Sequence, residues 1–245
     1  MSSKNAIKIA LVTGATRGIG LETVRQLASN GVHVLLAGRD RAKAVEASLK
    51  LQAEGLSVEA IALDVTRPET ILAAAKEVAN KHGKLDILVN NAGVFRDDMQ
   101  LKPSEQSLDT WRETFDTNVF GVIATTQTFL PLLKLAPAAR IVNVSSLLGS
   151  VAANADPTSP IYDFKVPAYN VSKSAVNAWT VQLAHELRDT GIKVNAVHPG
   201  SVKTDMNSQG EIEVADGAKT SVRMALLDEA GPNGGFVYFE DTLPW

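Results

Sequence analysis

Apolar positions along this chain occur in two alternating forms. Short, nearly continuous runs, the first being Ile7-Lys-Ile-Ala-Leu-Val-Thr13, have the length and composition of strands buried on both faces of a parallel sheet. Between them lie longer stretches whose apolar residues recur every three or four positions, as in helices that pack on one side. The pattern predicts a strand over 7–13, a helix stopping at Asn30-Gly31, a strand over about 32–37, a helix over about 41–54 and a strand over about 58–63. It continues with a helix over about 68–82, a strand over about 85–90, and a long helix over about 108–135 broken near Pro131. A strand over 140–145, a helix opened by Tyr169 and running to about 190, a strand over 193–198, a last helix near 215–227 and a strand near 235–239 complete the series. The segment from Ala152 to Pro167 reads as an inserted loop.

Strands that alternate with helices demand right-handed crossovers. The expected fold class is therefore α/β: one Rossmann-type, doubly wound parallel sheet of about seven strands with helices on both faces, spanning residues 1–245 as a single domain. Ligands of such sheets bind outside the carboxyl ends of the strands. Those ends deliver Thr13-Gly14, Ala37-Gly38-Arg39, Asp64-Val65, Asn90-Asn91-Ala92-Gly93, Ser145-Ser146 and Pro199-Gly200, all to one edge. The first of them opens a loop, Gly14-Ala-Thr-Arg-Gly18-Ile-Gly20, placed between a strand and a helix. Its glycines allow a tight turn and a close approach of a diphosphate to main-chain N–H groups at a helix N-terminus. The spacing differs from the G-x-G-x-x-G of the usual dinucleotide loop.

A second candidate is Tyr169-Asn-Val-Ser-Lys173. On a helix, with the apolar stripe Val171, Ala175, Ala178, Val181 and Leu183, Tyr169 and Lys173 lie one turn apart. An ammonium beside a phenol favours the phenolate, which makes Tyr a usable acid or base near neutral pH.

Composition narrows the function classes. A net charge of -3 with 21% charged and 45% apolar residues gives no electrostatic footprint for nucleic acid or an anionic membrane. The chain has no cysteine, so disulfides and thiolate metal sites are excluded. His33, His82, His185 and His198 are scattered in sequence without ligand spacing, and no metal is expected. The start, Met1-Ser-Ser-Lys-Asn5, enters strand-like sequence directly, and no run is long enough to span a bilayer, so a cytoplasmic protein is expected.

In order along the chain stand Thr13-Gly-x-x-x-Gly-x-Gly20, Asp64-Val65, Asn90-Asn-Ala-Gly93, Asn118, Ser146, Tyr169-x-x-x-Lys173 and Pro199-Gly200. Together they resemble the short-chain dehydrogenase/reductase family across nearly the whole chain. The resemblance implies a catalytic set of Asn118, Ser146, Tyr169 and Lys173. Tyr169 would exchange a proton with a substrate oxygen that Ser146 also orients; Lys173 would lower the Tyr169 pKa and hold the nicotinamide ribose. Asn118 would position a water joining Lys173 to solvent. Ser145 competes with Ser146, and the family pattern points to the second of the pair. The implied cofactor-binding set is Gly14, Thr16, Arg17, Gly18, Ile19, Gly20, Arg39, Asp64, Val65, Asn91, Ala92, Gly93, Tyr169, Lys173, Pro199, Gly200, Val202 and Thr204. Within it, Asp64 would meet the adenine amine and Thr204 the nicotinamide carboxamide.

An Arg at the end of the second strand suits the 2′-phosphate of NADP, where NAD would need an acid. Arg39 stands there, with Arg17 able to converge on it and Asp40 read as the cap of the next helix, so NADP (NADPH) is the expected cofactor. The short segment Met206–Asp216 and the tail resemble the carbonyl reductase branch, which implies an open pocket and broad scope. Its walls are expected from Val94, Phe95, Leu147, Leu148, Ile161, Phe164, Trp179 and Met206, whereas Asp97-Asp98 reads as a solvated loop. The expected function is NADPH-dependent reduction of a small-molecule ketone or aldehyde; the alternatives are an NAD-dependent alcohol dehydrogenase and a non-catalytic NADPH-binding regulator. A monomer is expected over a homodimer or tetramer, because the segment before Tyr169 can cover the helices through which relatives pair.

Overall fold

The computed structural model describes residues 7–245; the expectations for residues 1–5 lie outside the described part. The elements are β1 (Ile9–Val12), α1 (Gly18–Ser29), β2 (His33–Gly38), α2 (Arg41–Ala53), β3 (Val58–Ala62), α3 (Pro68–His82) and β4 (Ile87–Asn90). They continue with α4 (Leu108–Phe115), α5 (Gly121–Leu133), β5 (Arg140–Val144), α6 (Val151–Ala155), α7 (Pro167–Glu186) and β6 (Lys193–Val197). The short elements α8 (Val214–Gly217), α9 (Lys219–Ala225), β7 (Phe236–Tyr238) and β8 (Asp241–Thr242) complete the chain. The sheet has eight strands in the order β3-β2-β1-β4-β5-β6-β7-β8, all parallel except the β7–β8 pair. The α/β, doubly wound expectation holds, with β8 as a two-residue antiparallel edge added to the seven expected strands.

Alternation along β1 shows why the sheet needs helices on both faces. Ile9 and Leu11 join the core that includes Ile71, Val78, Phe129 and Leu183 from α3, α5 and α7. Ala10 and Val12 point into the opposite core with Val24, Leu27, Leu51 and Met224 from α1, α2 and α9. On α1 the buried positions Gly20, Thr23, Val24, Leu27 and Ala28 keep the three-to-four spacing that the sequence pattern required.

Three expectations are corrected. The long helix is interrupted at Asp116–Phe120, a π-type turn, and not at Pro131, which lies in the last turn of α5 where its missing N–H removes only one bond near the end. The segment 152–167 is not wholly a loop, because Ser150 caps the short α6 through its hydroxyl and Pro167 already opens α7. The apolar stripe assigned to α7 has the right period, but of its members only Leu183 reaches the core. Val171 and Val181 are 46% and 40% exposed, while Asn170, Ser172, Lys173, Asn177 and Thr180 turn inward. Each of these buried polar side chains makes at least one hydrogen bond, although the Oδ1 atoms of Asn170 and Asn177 have no partner. Thr180 Oγ1, for example, accepts from Asn143 Nδ2 at 2.9 Å and donates to the Val176 carbonyl at 2.8 Å. No helix among the described residues is long and apolar enough to cross a membrane.

Candidate active site

The parallel register brings the carboxyl ends of β1 to β6 to one edge, and the strand order reverses between β1 and β4. At this switch point Gly14 and Gly18 adopt φ of +63° and +55°, which side chains disfavour. A Cβ on Gly14 would stand 2.8 Å from the Ala92 Cα, so the loop must be bare to cross β4 closely. Beyond it, α1 begins at Arg17 with no side-chain cap, and its first-turn N–H groups face the crevice without intrahelical partners. This open helix end is a cradle for an anionic group such as a diphosphate. Thr13 locks the two strands together: its hydroxyl accepts from the N–H groups of Asn91 and Ala92, both at 3.0 Å. Asn91 returns the contact by donating from Nδ2 to the Thr13 carbonyl at 2.8 Å and the Gly14 carbonyl at 3.2 Å. These bonds tie the end of β1 to the segment that follows β4.

Four predicted side chains meet further along the edge. Tyr169 lies half-buried on the first turn of α7, and Ser146 follows β5. Burial pushes the Tyr169 phenol up to about 12, and hydrogen bonding with Ser146 acts in the other direction. Lys173 is 4% exposed and its Nζ donates to the Val144 carbonyl at 2.8 Å, 5.6 Å from the Tyr169 ring centroid. Desolvation lowers this ammonium to about 8, which leaves it mostly charged at neutral pH. Burial and the Ser146 hydrogen bond are the two influences on the Tyr169 phenol in this structure. Lys173 Nζ is held beside the ring by the Val144 carbonyl.

Asn118 is fully buried in the π-type turn, where the wider helical step aims it inward. Its Nδ2 donates to the Val94 carbonyl and to Ser172 Oγ, at 2.9 and 3.0 Å, and its Oδ1 accepts from Val94 N. Gly93 lies between Asn118 and Lys173. A Cβ there would be 3.5 Å from Asn118 Oδ1 and 3.6 Å from Lys173 Nζ, so the absent side chain leaves a polar-walled space between them. Ser145 turns the other way and its hydroxyl reaches the Lys173 carbonyl at 3.4 Å, anchoring α7. The geometry thus favours Ser146 as the serine that faces Tyr169.

The remaining predicted residues divide. Phe95 packs on Tyr169 at 5.5 Å between ring centroids, Val94 is bonded to Asn118, and Leu148 N–H donates to Ser146 Oγ. No hydrogen bond or ring contact among the described residues joins Ile161, Phe164 or Met206 to the four side chains, and Phe164 and Met206 are exposed. Trp179 packs against the core of α3, α5 and α7 instead of lining a pocket. Val202 is buried against Gly217, and Thr204 exchanges backbone hydrogen bonds with Asn207 across a tight turn, so it is not a helix cap. The loop from Pro199 turns at Gly200, and a Cβ added at Gly18 would stand 3.7 Å from Thr204 Cγ2. Thr16 packs beside Gly38, and Ile19 and Gly20 form the first turn of α1. Asp64 Oδ1 accepts from the N–H and hydroxyl of Thr66, while Val65 packs on Gly121. Asp40 caps α2 as expected, accepting from Ala42 N and Lys43 N. Arg39 is exposed and has no ion pair among the described residues; Arg17 does not join it but pairs with Asp205 at 2.6 Å.

Two further residues support the site from outside the expected set. Asp97, expected in solvent, is 7% exposed and caps α7: Oδ1 accepts from Ala168 N at 2.8 Å and Oδ2 from Tyr169 N at 2.9 Å. The cap position itself is Val166, which has no side-chain acceptor, and Pro167 has no N–H. That absence was the sequence signal that a cap must arrive from elsewhere. Asp98 does remain exposed, in its own turn. His198 accepts the Leu147 N–H on Nδ1 at 3.1 Å, fixing the loop beside Ser146, and burial holds its pKa down to about 4.

With this geometry established, a family match decides the lineage: residues 8–213 match the family described as short chain dehydrogenase. The chain belongs to the short-chain dehydrogenase family. This short-chain dehydrogenase is 39% identical to the short-chain dehydrogenase anuI of Penicillium roqueforti, over 96% of this chain and 95% of the relative. It is 35% identical to a (+)-neomenthol dehydrogenase of Arabidopsis thaliana, over 94% of this chain and 95% of the relative. Among solved structures it is similar to NADPH-bound carbonyl reductase from chicken fatty liver, with a TM-score of 0.86 and 30% identity over 98% of this chain and 99% of that one. The short-chain dehydrogenase assignment makes the chain an oxidoreductase of a family that binds nicotinamide cofactors.

Proposed function

We propose that this oxidoreductase reduces small-molecule ketones or aldehydes with NADPH. The carrying observation is the convergence of a neutral Tyr169 phenol, Ser146 and a charged Lys173 on the edge where the glycine loop opens. A phenol held at about 12 keeps its proton, which is the form needed to protonate a carbonyl oxygen as it gains negative charge. Ser146 adds a donor to that oxygen and Lys173 places a buried positive charge beside the same ring. When bound, the nicotinamide supplies the hydride. This chain's part is to cradle the diphosphate on the α1 N-terminus, to receive the ribose near Gly93 and Lys173, and to orient the carbonyl against Tyr169.

NADP is favoured over NAD by the second strand's end. Asp40 is engaged in capping α2, leaving the exposed Arg39 as the charged side chain available to a 2′-phosphate. The similarity to a carbonyl reductase and to a dehydrogenase named for an alcohol supports a carbonyl–alcohol pair as substrate and product. The short segment after Gly200 supports an open pocket with broad scope.

The test is the loss of nicotinamide absorbance with NADPH or NADH and a panel of activated ketones, aldehydes and a quinone. NADPH should be consumed much faster than NADH. Tyr169→Phe should abolish turnover while NADPH affinity, measured by fluorescence titration, stays within about threefold, under 1 kcal/mol. Retained turnover in that variant removes Tyr169 from the chemistry; tight NADPH binding without consumption across the panel returns the protein to the cofactor-binding regulators.

A further inference from the structure

Far in sequence from one another, His33, Glu59 and His82 come together at the outer edge of the sheet. His33 opens β2, Glu59 is on β3 and His82 ends α3. Their donor atoms all lie within 4.8 Å of one another. Glu59 Oε2 is 3.7 Å from the Nε2 of His33 and 3.7 Å from the Nε2 of His82. The side chains are only 22%, 32% and 15% exposed in the order His33, Glu59, His82. The histidines expected to be scattered are thus neighbours, with ring centroids 5.2 Å apart.

The two imidazoles are unpartnered on the side that faces Glu59. Both Nε2 atoms are buried and neither has a hydrogen-bond partner. His33 Nδ1 lies 2.8 Å from Ser57 Oγ. If Nδ1 carries the proton given to that hydroxyl, the His33 Nε2 lone pair points at a carboxylate, an orientation that repels unless a cation lies between. Lys81 occupies Oε1 of Glu59 and leaves Oε2 toward the histidines.

We propose that His33, Glu59 and His82 form a binding site for a divalent cation of the zinc class. Two neutral imidazoles and a carboxylate are the ligand types that zinc takes, at about 2.0–2.2 Å each, which sets ligand–ligand spacings of roughly 3.4 Å in a tetrahedron. The two 3.7 Å separations need a contraction of a few tenths of an ångström, within side-chain adjustment. Ser57 supplies the outer hydrogen bond that orients a metal-bound imidazole. The C-terminal end of α3, at His82, adds favourable negative potential. The fourth position is open to water. The site lies at the amino ends of β2 and β3, opposite the edge that holds Tyr169, so the metal would tie two strands and a helix together without touching the chemistry.

Equilibrium dialysis of untagged protein against zinc chloride should give one zinc per chain, and cobalt chloride should give the visible ligand-field bands of a tetrahedral site. His33→Ala, His82→Ala and Glu59→Gln should each weaken binding at least tenfold, while His185→Ala, at an exposed position elsewhere on the surface, should leave it unchanged. Zinc should also raise Tm by several degrees in the wild type and not in the His82→Ala chain, with turnover the same with and without the metal. The assignment is overturned if the wild type binds zinc no better than the His82→Ala chain, or if the cobalt spectrum is that of the hydrated ion. Glu59→Gln, which preserves volume and shape, serves if either alanine variant does not fold.

Discussion

Replacing Asp97 isolates the contact that holds the catalytic helix in place. Among the first-turn donors of α7, Pro167 has none, Ala168 and Tyr169 donate to Asp97, and Asn170 N–H donates to the Val166 carbonyl, so the accounting is complete only with the Asp97 carboxylate. Asp97→Ala leaves two backbone donors unpaired at a position 7% exposed. Hydrogen bonds to charged groups contribute about 1.5–3 kcal/mol each, but loss of a helix cap measures at most about 2 kcal/mol because water re-enters. The expected destabilisation is therefore about 2 kcal/mol, and at 2–4 °C per kcal/mol for a chain of this size Tm should fall by roughly 4–8 °C. Asp97→Asn keeps one acceptor and should lose about half as much. Because one of the two donors is the N–H of Tyr169 itself, relaxation of this turn moves the phenol. A displacement near 1 Å can cost about 100-fold in rate, so kcat should fall more than NADPH affinity does. Calorimetry and steady-state kinetics on Asp97→Ala, Asp97→Asn and the exposed neighbour Asp98→Ala test this. An Asp97→Ala protein with the Tm and kcat of Asp98→Ala would refute the capping argument.

Three other substitutions probe separate parts of the site. His198 stays neutral to about pH 4, against 6.5 for an ordinary histidine, so between those values the unfolded chain takes up a proton that the folded one does not. Stability should fall as pH drops from 6.5 to about 4 and this contribution should then level off; His198→Asn should flatten that part of a urea-denaturation series, and an unchanged slope would point to other groups. Gly93→Ala places a methyl at ordinary contact distances of 3.5 and 3.6 Å from Asn118 and Lys173. Stability should change by less than about 1 kcal/mol while NADPH binding weakens about tenfold or more, and unaltered binding would show that the space between those side chains is not used. Arg39→Ala should raise KM for NADPH about tenfold and leave NADH unaffected, and equal changes for both would remove Arg39 from phosphate recognition.

Much of the fold was legible because strands buried on two faces and helices buried on one leave different periods in the chain, and those periods need no partner to be read. The glycine loop between Thr13 and Gly20, the strand ends and the Tyr169–Lys173 pair follow from local order in the same way. Even the cap by Asp40 follows from its place before a helix. What failed was whatever depended on a second element. Val171 and Val181 gave α7 its period but not its buried face, since the polar side is offset by side-chain bonds to Asn143, Val144 and Gly149 from elsewhere. The break at Asp116–Phe120, which aims Asn118, carries no proline to announce it. Asp97 reads as a surface acid until α7 arrives without a cap of its own, 71 residues later. The pKa values of Tyr169 and Lys173 depend on how much water the neighbouring loops remove, and His33 meets His82 only after β2, β3 and α3 have docked. Sequence determined the elements, their order and the motif residues, because these rest on short-range periodicity. The tertiary structure alone decided faces, protonation and the meeting of distant side chains, because each is set by packing between segments that are remote along the chain.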